Sequence, residues 1–153
     1  MKKLKYFIIF LVFIFSDLNL ALAHICNVSN PILSFGQYDP RPGSSNTSTS
    51  TVTVTCSDMK ADVPYTLTLY KSKQAFSMSK GDDVMYFQLY TSANYSTLWD
   101  ENNTISGVVK NNAGNGSDLR TVYAKIIPNQ IGKKSGAYNS ATDPVIITLH
   151  YAQ

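Results

Sequence analysis

The stretch Ser48-Thr49-Ser50-Thr51-Val52-Thr53-Val54-Thr55-Cys56 decides the fold class of this chain. In an extended backbone, Val52, Val54 and Cys56 fall on one face and the threonines on the other. Successive side chains of a β-strand point to opposite faces, and a period of two is typical of a strand with one buried face. The stretch therefore predicts a strand that lies with one side on a hydrophobic core.

Five more segments carry short runs of the same kind, and they lie at 31–35, 65–70, 84–90, 119–127 and 145–151. Stretches rich in turn-forming residues separate several of them, at 39–46, 111–117 and 132–140. No stretch of about a dozen residues has the apolar period of a helix. Strands at this spacing predict a single all-β domain with the architecture of a β-sandwich.

The end of the chain sets the form of that sandwich. Only Ala152 and Gln153 follow the strand predicted at 145–151, whereas a seven-stranded immunoglobulin-type sandwich needs one more strand. We therefore expect an incomplete immunoglobulin-like β-sandwich, whose last strand lies beside an apolar slot that a strand from a second chain can fill. The alternative is that a segment predicted as a loop supplies the missing strand.

The first residues predict export. Lys2, Lys3 and Lys5 precede an uninterrupted apolar run at 6–15, and Ala21-Leu22-Ala23 provides small residues for cleavage by a signal peptidase. A membrane anchor is the alternative, but it requires about 20 apolar residues. We expect a signal peptide at 1–23 and a mature domain at 24–153 without a membrane span.

Charge and cysteine content narrow the function further. Removal of the predicted signal peptide lowers the net charge from +3 to +1, and only Lys133 and Lys134 are adjacent cations, which argues against nucleic acid as a partner. Cys26 and Cys56 both remain in the exported domain, where paired cysteines are common. A disulfide between them would contribute about 3–4 kcal/mol. A pair of free thiols or half of a metal site are the alternatives.

Residues for catalysis are scarce. The chain has two histidines, His24 and His150, and no nucleophile-elbow or phosphate-binding glycine motif. Two adjacent acidic pairs lie at 82–83 and 100–101, but neighbouring side chains on a strand point to opposite faces. We expect no enzymatic activity, no cofactor and no metal site.

Aromatic residues are the remaining candidates for binding. Tyr86 and Tyr90 share one face of the strand predicted at 84–90 and are possible surface-binding aromatics, although tyrosines on a sheet also cover the rim of a core. Trp99 is expected to be buried.

Several motifs in a characteristic order resemble the spore coat protein U domain, which is shared with subunits of archaic chaperone–usher pili. They include Leu33-Ser34-Phe35-Gly36-Gln37-Tyr38 after Cys26, Val52-Thr53-Val54-Thr55-Cys56, Pro64-Tyr65-Thr66-Leu67-Thr68-Leu69, Met85-Tyr86-Phe87-Gln88-Leu89-Tyr90, Leu98-Trp99-Asp100, Thr121-Val122-Tyr123-Ala124-Lys125-Ile126, Pro128-Asn129-Gln130 and Gly136-Ala137-Tyr138.

The resemblance implies a subunit that lacks its last strand and receives a donor strand, first from a periplasmic chaperone and then from another pilus subunit at an outer-membrane usher. It implies a cell-surface, pilus or extracellular location, and a disulfide between Cys26 and Cys56 that ties the first strand to the second. The acceptor groove would be lined by Ile32, Phe35, Val145, Ile147, Leu149 and Tyr151.

One departure from the resemblance concerns the donor arm. Cleavage after Ala23 would leave only His24 and Ile25 before Cys26, and two extended residues span about 7 Å. We therefore expect a subunit that accepts a strand but donates none, such as a tip or terminating subunit. The alternative is a self-complemented secreted coat or carbohydrate-binding protein outside a filament.

Overall fold

The computed structural model describes residues 23–39, 46–69, 75–130, 132–138 and 144–152. These residues form strands and connecting segments, with no helix among them. The ten strands are β1 (Ile25–Val28), β2 (Gln37–Tyr38), β3 (Thr47–Ser57), β4 (Val63–Leu69), β5 (Phe76–Lys80), β6 (Asp83–Tyr90), β7 (Ile105–Val109), β8 (Gly116–Ile126), β9 (Gly136–Ala137) and β10 (Ile147–Tyr151).

Two antiparallel sheets enclose the core. The larger has the order β1-β3-β8-β6-β5 and the smaller the order β10-β4-β7, while β2 and β9 pair separately. Contacts between the sheets place β10 near β1 and β7 near β8. Valines, leucines, methionines and aromatic side chains from both inner faces form one hydrophobic cluster between the sheets. The predicted all-β sandwich is confirmed.

Five of the predicted strands are present, as β3, β4, β6, β8 and β10. Their inward faces are the apolar ones that the alternation indicates, because Val52, Leu67, Phe87 and Val122 are all fully buried. In these segments the alternation predicted both the existence of the strand and its buried face.

The strand predicted at 31–35 is wrong. The ladder between β1 and β3 ends near Ser29, whose backbone N–H donates to the Thr53 carbonyl oxygen. Beyond it, Ile32 and Ser34 donate their backbone N–H groups to side-chain hydroxyls of β3, those of Ser50 and Ser48, rather than to backbone carbonyls. The inner face of β3 has valines at 52 and 54 but serines at 48 and 50. The hydroxyls of these serines pair with the segment after β1, so that segment can leave the β1–β3 ladder.

The sequence prediction also omitted strands. In β5, Phe76 and Met78 alternate with serines and are buried, a signal that the sequence contains. In β7, Gly107 interrupts a short apolar run, so the sequence pattern does not indicate a strand there. The strands β1, β2 and β9 have four residues or fewer, too short to show a period.

The predicted disulfide is present. Cys26 and Cys56 are bonded, lie opposite each other in the β1–β3 ladder, and are separated by 30 residues in the chain. Trp99 is buried as expected, and its indole Nε1–H donates to the Leu67 carbonyl oxygen at 3.3 Å.

Some predictions fall outside the described residues. These are the signal peptide up to residue 22, the end of the strand predicted at 65–70, and most of the turn at 39–46. In the described part of the chain, no helix has the length and apolarity needed to cross a membrane.

Ser48 provides a test of the side-chain bonds that hold the segment after β1. Its side chain is buried, and its Oγ accepts the Ser34 N–H at 3.1 Å. Ser48→Ala removes that acceptor and should lower the free energy of unfolding by about 1–2 kcal/mol in urea titration. Thr49→Ala, on the exposed face of the same strand, is the control, and an equal loss in both variants would contradict the assignment.

Candidate functional site

The core is least covered along one side of the sandwich. Most buried core residues expose 0–4% of their surface, whereas six expose 8–9%. These six form the core rim, which consists of Cys26, Leu33, Phe35, Tyr38, Val145 and Ile147. All of them lie in the segment that begins with β1 and ends with β2, or in the segment that leads into β10. The buried core residues that keep the most exposure therefore lie on these two segments.

The structure places the predicted groove residues along the same two segments. Phe35, Val145 and Ile147 belong to the core rim, and Leu149 and Tyr151 are half-buried and pack against it. Ile32 differs, since 87% of its surface is exposed. Sequence reasoning missed Leu33, although its alternation with Phe35 could have indicated it.

The backbone along this side is not fully paired. Within the described residues, β10 forms a ladder with β4 and with no other strand. We refer to residues 29–36 as the first flank and residues 144–151 as the second flank. The first flank has side-chain hydroxyls of β3 as partners for two of its N–H groups. An edge strand thus contributes Ile147 to the core rim.

Contacts hold the chain beyond each end of the first flank. At one end β2, which follows the first flank, pairs with β9, and the ring of Tyr38 packs edge-on against that of Tyr138 at 6.2 Å. At the other end the Cys26 N–H donates to the Tyr151 Oη at 3.3 Å, and the His24 ring lies 5.4 Å from the Tyr151 ring. These contacts lie beyond the two ends of the first flank, and we refer to the region between the flanks as the strip.

The Tyr138 side chain at the β2–β9 end is held by hydrogen bonds. Its hydroxyl donates to the Lys134 carbonyl oxygen at 2.8 Å and approaches the Asp83 carboxylate at 3.5 Å. Burial, with the nearby Asp83 charge, raises the pKa of Tyr138, so its hydroxyl remains protonated at physiological pH.

A charged cluster lies elsewhere, where β4 faces β8. The Tyr65 hydroxyl donates to Asp118 Oδ2 at 2.7 Å, and Arg120 donates to the same carboxylate oxygen and to the Tyr65 Oη. A Cβ atom on Gly107 would lie 2.6 Å from both Asp118 and Arg120, so glycine leaves the space that the cluster occupies. The cluster joins the two sheets through side chains that are all paired.

Titration of this cluster follows from its contacts. Partial burial opposes ionisation of Asp118, but the Tyr65 hydroxyl and the Arg120 guanidinium stabilise its charge, and the net effect lowers its pKa from 3.8. Burial raises the pKa of Tyr65 from 10.0. Both shifts favour a neutral Tyr65 phenol paired with an ionised Asp118 carboxylate. This pair joins the two sheets, and neither group is free to act as an acid or a base.

The other predicted candidates lie on outward-facing positions of the sheets. His150 is exposed, and its Nε2 lies 3.1 Å from the Thr68 hydroxyl on the neighbouring strand. Tyr86 is 48% exposed and Tyr90 half-buried, both on the outer face of the larger sheet. Among the described residues, no three His, Cys, Asp or Glu side chains group as metal ligands would.

Comparison with known families identifies the domain. Residues 14–148 match the Spore Coat Protein U domain. The chain belongs to the Spore Coat Protein U domain family. The matched region begins inside the predicted signal peptide and ends within β10. It contains both cysteines, all of the first flank and residues 144–148 of the second flank, and it agrees with the resemblance seen in the sequence motifs.

This chain is also similar to a solved structure. This is a chain in the crystal structure of the CsuC–CsuE chaperone–tip adhesion subunit pre-assembly complex from the archaic chaperone-usher Csu pili of Acinetobacter baumannii, with 13% identity and a TM-score of 0.48. The alignment covers 84% of this chain and 40% of that chain. No curated protein matches the sequence.

The charged cluster predicts a loss of stability in acid. Asp118 has a lower pKa in the folded state than in the unfolded state, so its contribution is complete above pH 3.8 and is lost as the pH falls through the folded pKa. Urea midpoints measured from pH 6 to pH 2 should fall less in Asp118→Asn than in the original protein.

Tyr65→Phe, which removes one donor to the same carboxylate, should also reduce the dependence on pH. The pH profiles of both variants running parallel to that of the original protein would show that the cluster does not contribute to acid sensitivity.

Proposed function

We propose that this protein is an exported structural subunit of a chaperone–usher pilus, not an enzyme, and that it assembles by accepting a donor strand between its two flanks. Its partners are a periplasmic chaperone, an outer-membrane usher and other pilus subunits, and its route leads through the periplasm to the cell surface. The observation that carries the proposal is the edge of β10 that has no partner strand within the described ranges, beside the core rim. Membership of the Spore Coat Protein U domain family supports it.

An added strand would meet two needs of this region at once. Its backbone would pair with the N–H and C=O groups on the open edge of β10. Its inward side chains would cover Phe35, Val145 and Ile147, the residues that keep more exposure than the rest of the core. This is strand addition to a sheet edge, in which the backbone supplies affinity and alternate side chains supply specificity.

The contacts beyond each end of the first flank would limit the length of the donor. The first flank has eight residues between β1 and β2, which corresponds to about 26 Å of extended chain. A donor of about eight residues with apolar side chains at alternate positions would fill that strip. A longer segment would meet the β2–β9 pair at one end or Tyr151 and Cys26 at the other.

Exposed apolar side chains also border the strip. Ile32 on the first flank is 87% exposed and Ile146 on the second flank 50% exposed. Exposed side chains of this size beside an unpaired edge are typical of a contact surface. They support a partner that covers the flanks as well as the space between them, as a folded chaperone domain or neighbouring subunit would.

The role within a filament follows from the first strand. Residues from Ile25 onward pair with β3 of the same chain, with Ile25 opposite Ser57, so a donor arm would have to precede Ile25. With cleavage after Ala23 no such arm remains, and the protein would act as a tip or terminating subunit that accepts a strand and donates none.

The terminal role predicts the start of the mature protein. Edman sequencing or intact mass of the exported chain should give His24 as the first residue, since Ala21-Leu22-Ala23 forms the cleavage site. A start near Phe15 would instead leave an arm of about ten residues before Cys26 and would refute the acceptor-only role.

Strand acceptance is tested with peptides. The oxidised mature protein should gain thermal stability when mixed with eight-residue peptides that alternate apolar and polar residues. A ligand that binds only the folded state adds about 2.7 kcal/mol at a concentration 100 times its Kd. A scrambled peptide of the same composition, with its apolar residues in one block, is the control for composition.

Paired variants on β10 locate the binding face. Leu149→Asp places a charge against the core rim and should weaken peptide binding at least tenfold, with Leu149→Ala as a milder variant should the first not fold. His150→Asp places the same charge on the opposite, exposed face of the strand and should bind like the original protein. Trp99 fluorescence reports folding in each case, since that ring is buried.

The outcomes separate the two assemblies. A monomer that is stable alone in size-exclusion chromatography and does not respond to any of the peptides would contradict strand acceptance. That result would favour the self-complemented coat protein, in which a segment of the same chain covers the rim.

A further inference from the structure

A group of tyrosines lies on the opposite side of the larger sheet from the core. The register places Tyr90 of β6 opposite Tyr123 of β8, and Gln88 opposite Lys125. Tyr95, from the loop that follows β6, packs on both tyrosines. We call Tyr86, Tyr90, Tyr95, Tyr123 and Lys125 the tyrosine face. It involves neither the flanks nor the charged cluster, and the proposed assembly does not use it.

The rings are arranged in a fixed geometry. The Tyr95 ring lies 5.5 Å from that of Tyr90 and 6.2 Å from that of Tyr123, nearly perpendicular to each. The Lys125 ammonium group lies 5.8 Å from the centre of the Tyr95 ring, within the range of a cation–π interaction. The three rings remain half-buried, so the cluster has an accessible side in spite of its internal packing.

The loop at 91–97 holds Tyr95 in an unusual conformation. Tyr95 has a φ of 56°, a left-handed value that is uncommon for a bulky residue. Its N–H donates to the Ser92 carbonyl oxygen at 3.1 Å, and the Thr91 N–H donates to the Thr97 carbonyl oxygen at 3.0 Å. Such strain persists where the surroundings enforce it, often at binding sites. The loop thus fixes the ring without a ligand.

Tyr86 extends the face toward solvent. Its ring is 48% exposed, while its backbone is fixed on both sides by one side chain. Gln130 Oε1 accepts the Tyr86 N–H, and Gln130 Nε2 donates to the Tyr86 carbonyl oxygen, each at 2.8 Å. The backbone that carries Tyr86, the most accessible ring of the tyrosine face, is therefore held by hydrogen bonds on both sides.

The chemistry around the rings is polar with one positive charge. The outward positions of the adjacent strand β3 are threonines, with Thr49 opposite Tyr123 and Thr47 opposite Lys125. Lys125 is the one charged residue among the outward-facing positions of the five strands, which include no carboxylate. The loop at 91–97 has no charged residue either. Asp100 lies two residues beyond Leu98, which bridges to Tyr90, and its Oδ1 accepts the Asn102 and Asn103 N–H groups. An acidic ligand would meet the complementary charge of Lys125.

We infer that the tyrosine face binds an acidic polysaccharide. Tyrosine rings offer apolar surfaces to the C–H groups of sugar rings, threonine and glutamine side chains offer hydrogen bonds to hydroxyl groups, and Lys125 offers its charge to a carboxylate. The site stands apart from the flanks, so the protein can bind a glycan whether or not a donor strand is present.

Affinity electrophoresis of the mature protein in gels with polygalacturonate or dextran tests this inference. Polygalacturonate should retard the protein, more at low than at high salt, and dextran should retard it less. Tyr86→Ala and Tyr123→Ala should each weaken binding to polygalacturonate at least fivefold. Lys125→Gln should weaken it by a similar factor and remove most of the salt dependence.

Leu119→Ala is the matched control, because Leu119 is 63% exposed on the same face of β8 but outside the tyrosine face. It should bind polygalacturonate like the original protein. No retardation by either polymer, equal retardation by both, or equal losses for Leu119→Ala and Tyr86→Ala would overturn the inference. Each variant should keep the thermal stability and the peptide response of the original protein, which separates this test from that of strand acceptance.

Discussion

Among the residues that the structure describes, the edge of β10 without a partner strand is the constraint to which the other features of this side relate. A strand with partners on one side leaves backbone N–H and C=O groups that require either water or another strand. In most proteins such an edge is short, charged or covered. Here it adjoins the part of the core that retains the most exposure, at Val145 and Ile147. Apolar surface and unpaired backbone occur together, and an added strand would satisfy both.

Interactions outside the proposed acceptor strip hold its borders in place. The disulfide between Cys26 and Cys56 fixes β1 on β3, and the Cys26 N–H reaches Tyr151 at the end of β10. The hydroxyls of Ser48 and Ser50 hold the first flank at a distance from a regular ladder. A site already held in its binding conformation loses less conformational entropy when a partner arrives. These contacts would therefore favour the proposed strand acceptance, although none of them would touch the donor.

The sequence was sufficient where a strand had a regular period and one buried face. The alternation at 48–56 predicted β3 together with the burial of Val52 and Val54. It was insufficient where side chains replace backbone partners, because the apolar residues Leu33 and Phe35 are buried without lying in a strand. It also failed at β7, because the need for Gly107 arises from Tyr65, Asp118 and Arg120 on two other strands.

For the candidate surfaces, too, the sequence predicted some residues and not others. Five of the six predicted groove residues pack on or near the core rim, and the period of the last strand was enough to select most of them. The tyrosine face was predicted only at Tyr86 and Tyr90. The position of Tyr95 depends on a left-handed turn, and that of Lys125 on the register between β6 and β8, neither of which a single strand reveals.

The two surfaces lie on different parts of the sandwich, and this separation has a functional consequence. The flanks border the side where β1 approaches β10, whereas the tyrosine face lies on the outer side of β6 and β8, near the other edge of the larger sheet. The proposed donor strand would pair with the edge of the smaller sheet and cover the core from the side. It would therefore leave the outer face of the larger sheet uncovered. A subunit held at the end of a filament by its groove would present the tyrosine face to the surroundings, so that assembly and glycan binding use separate sheets of one small domain.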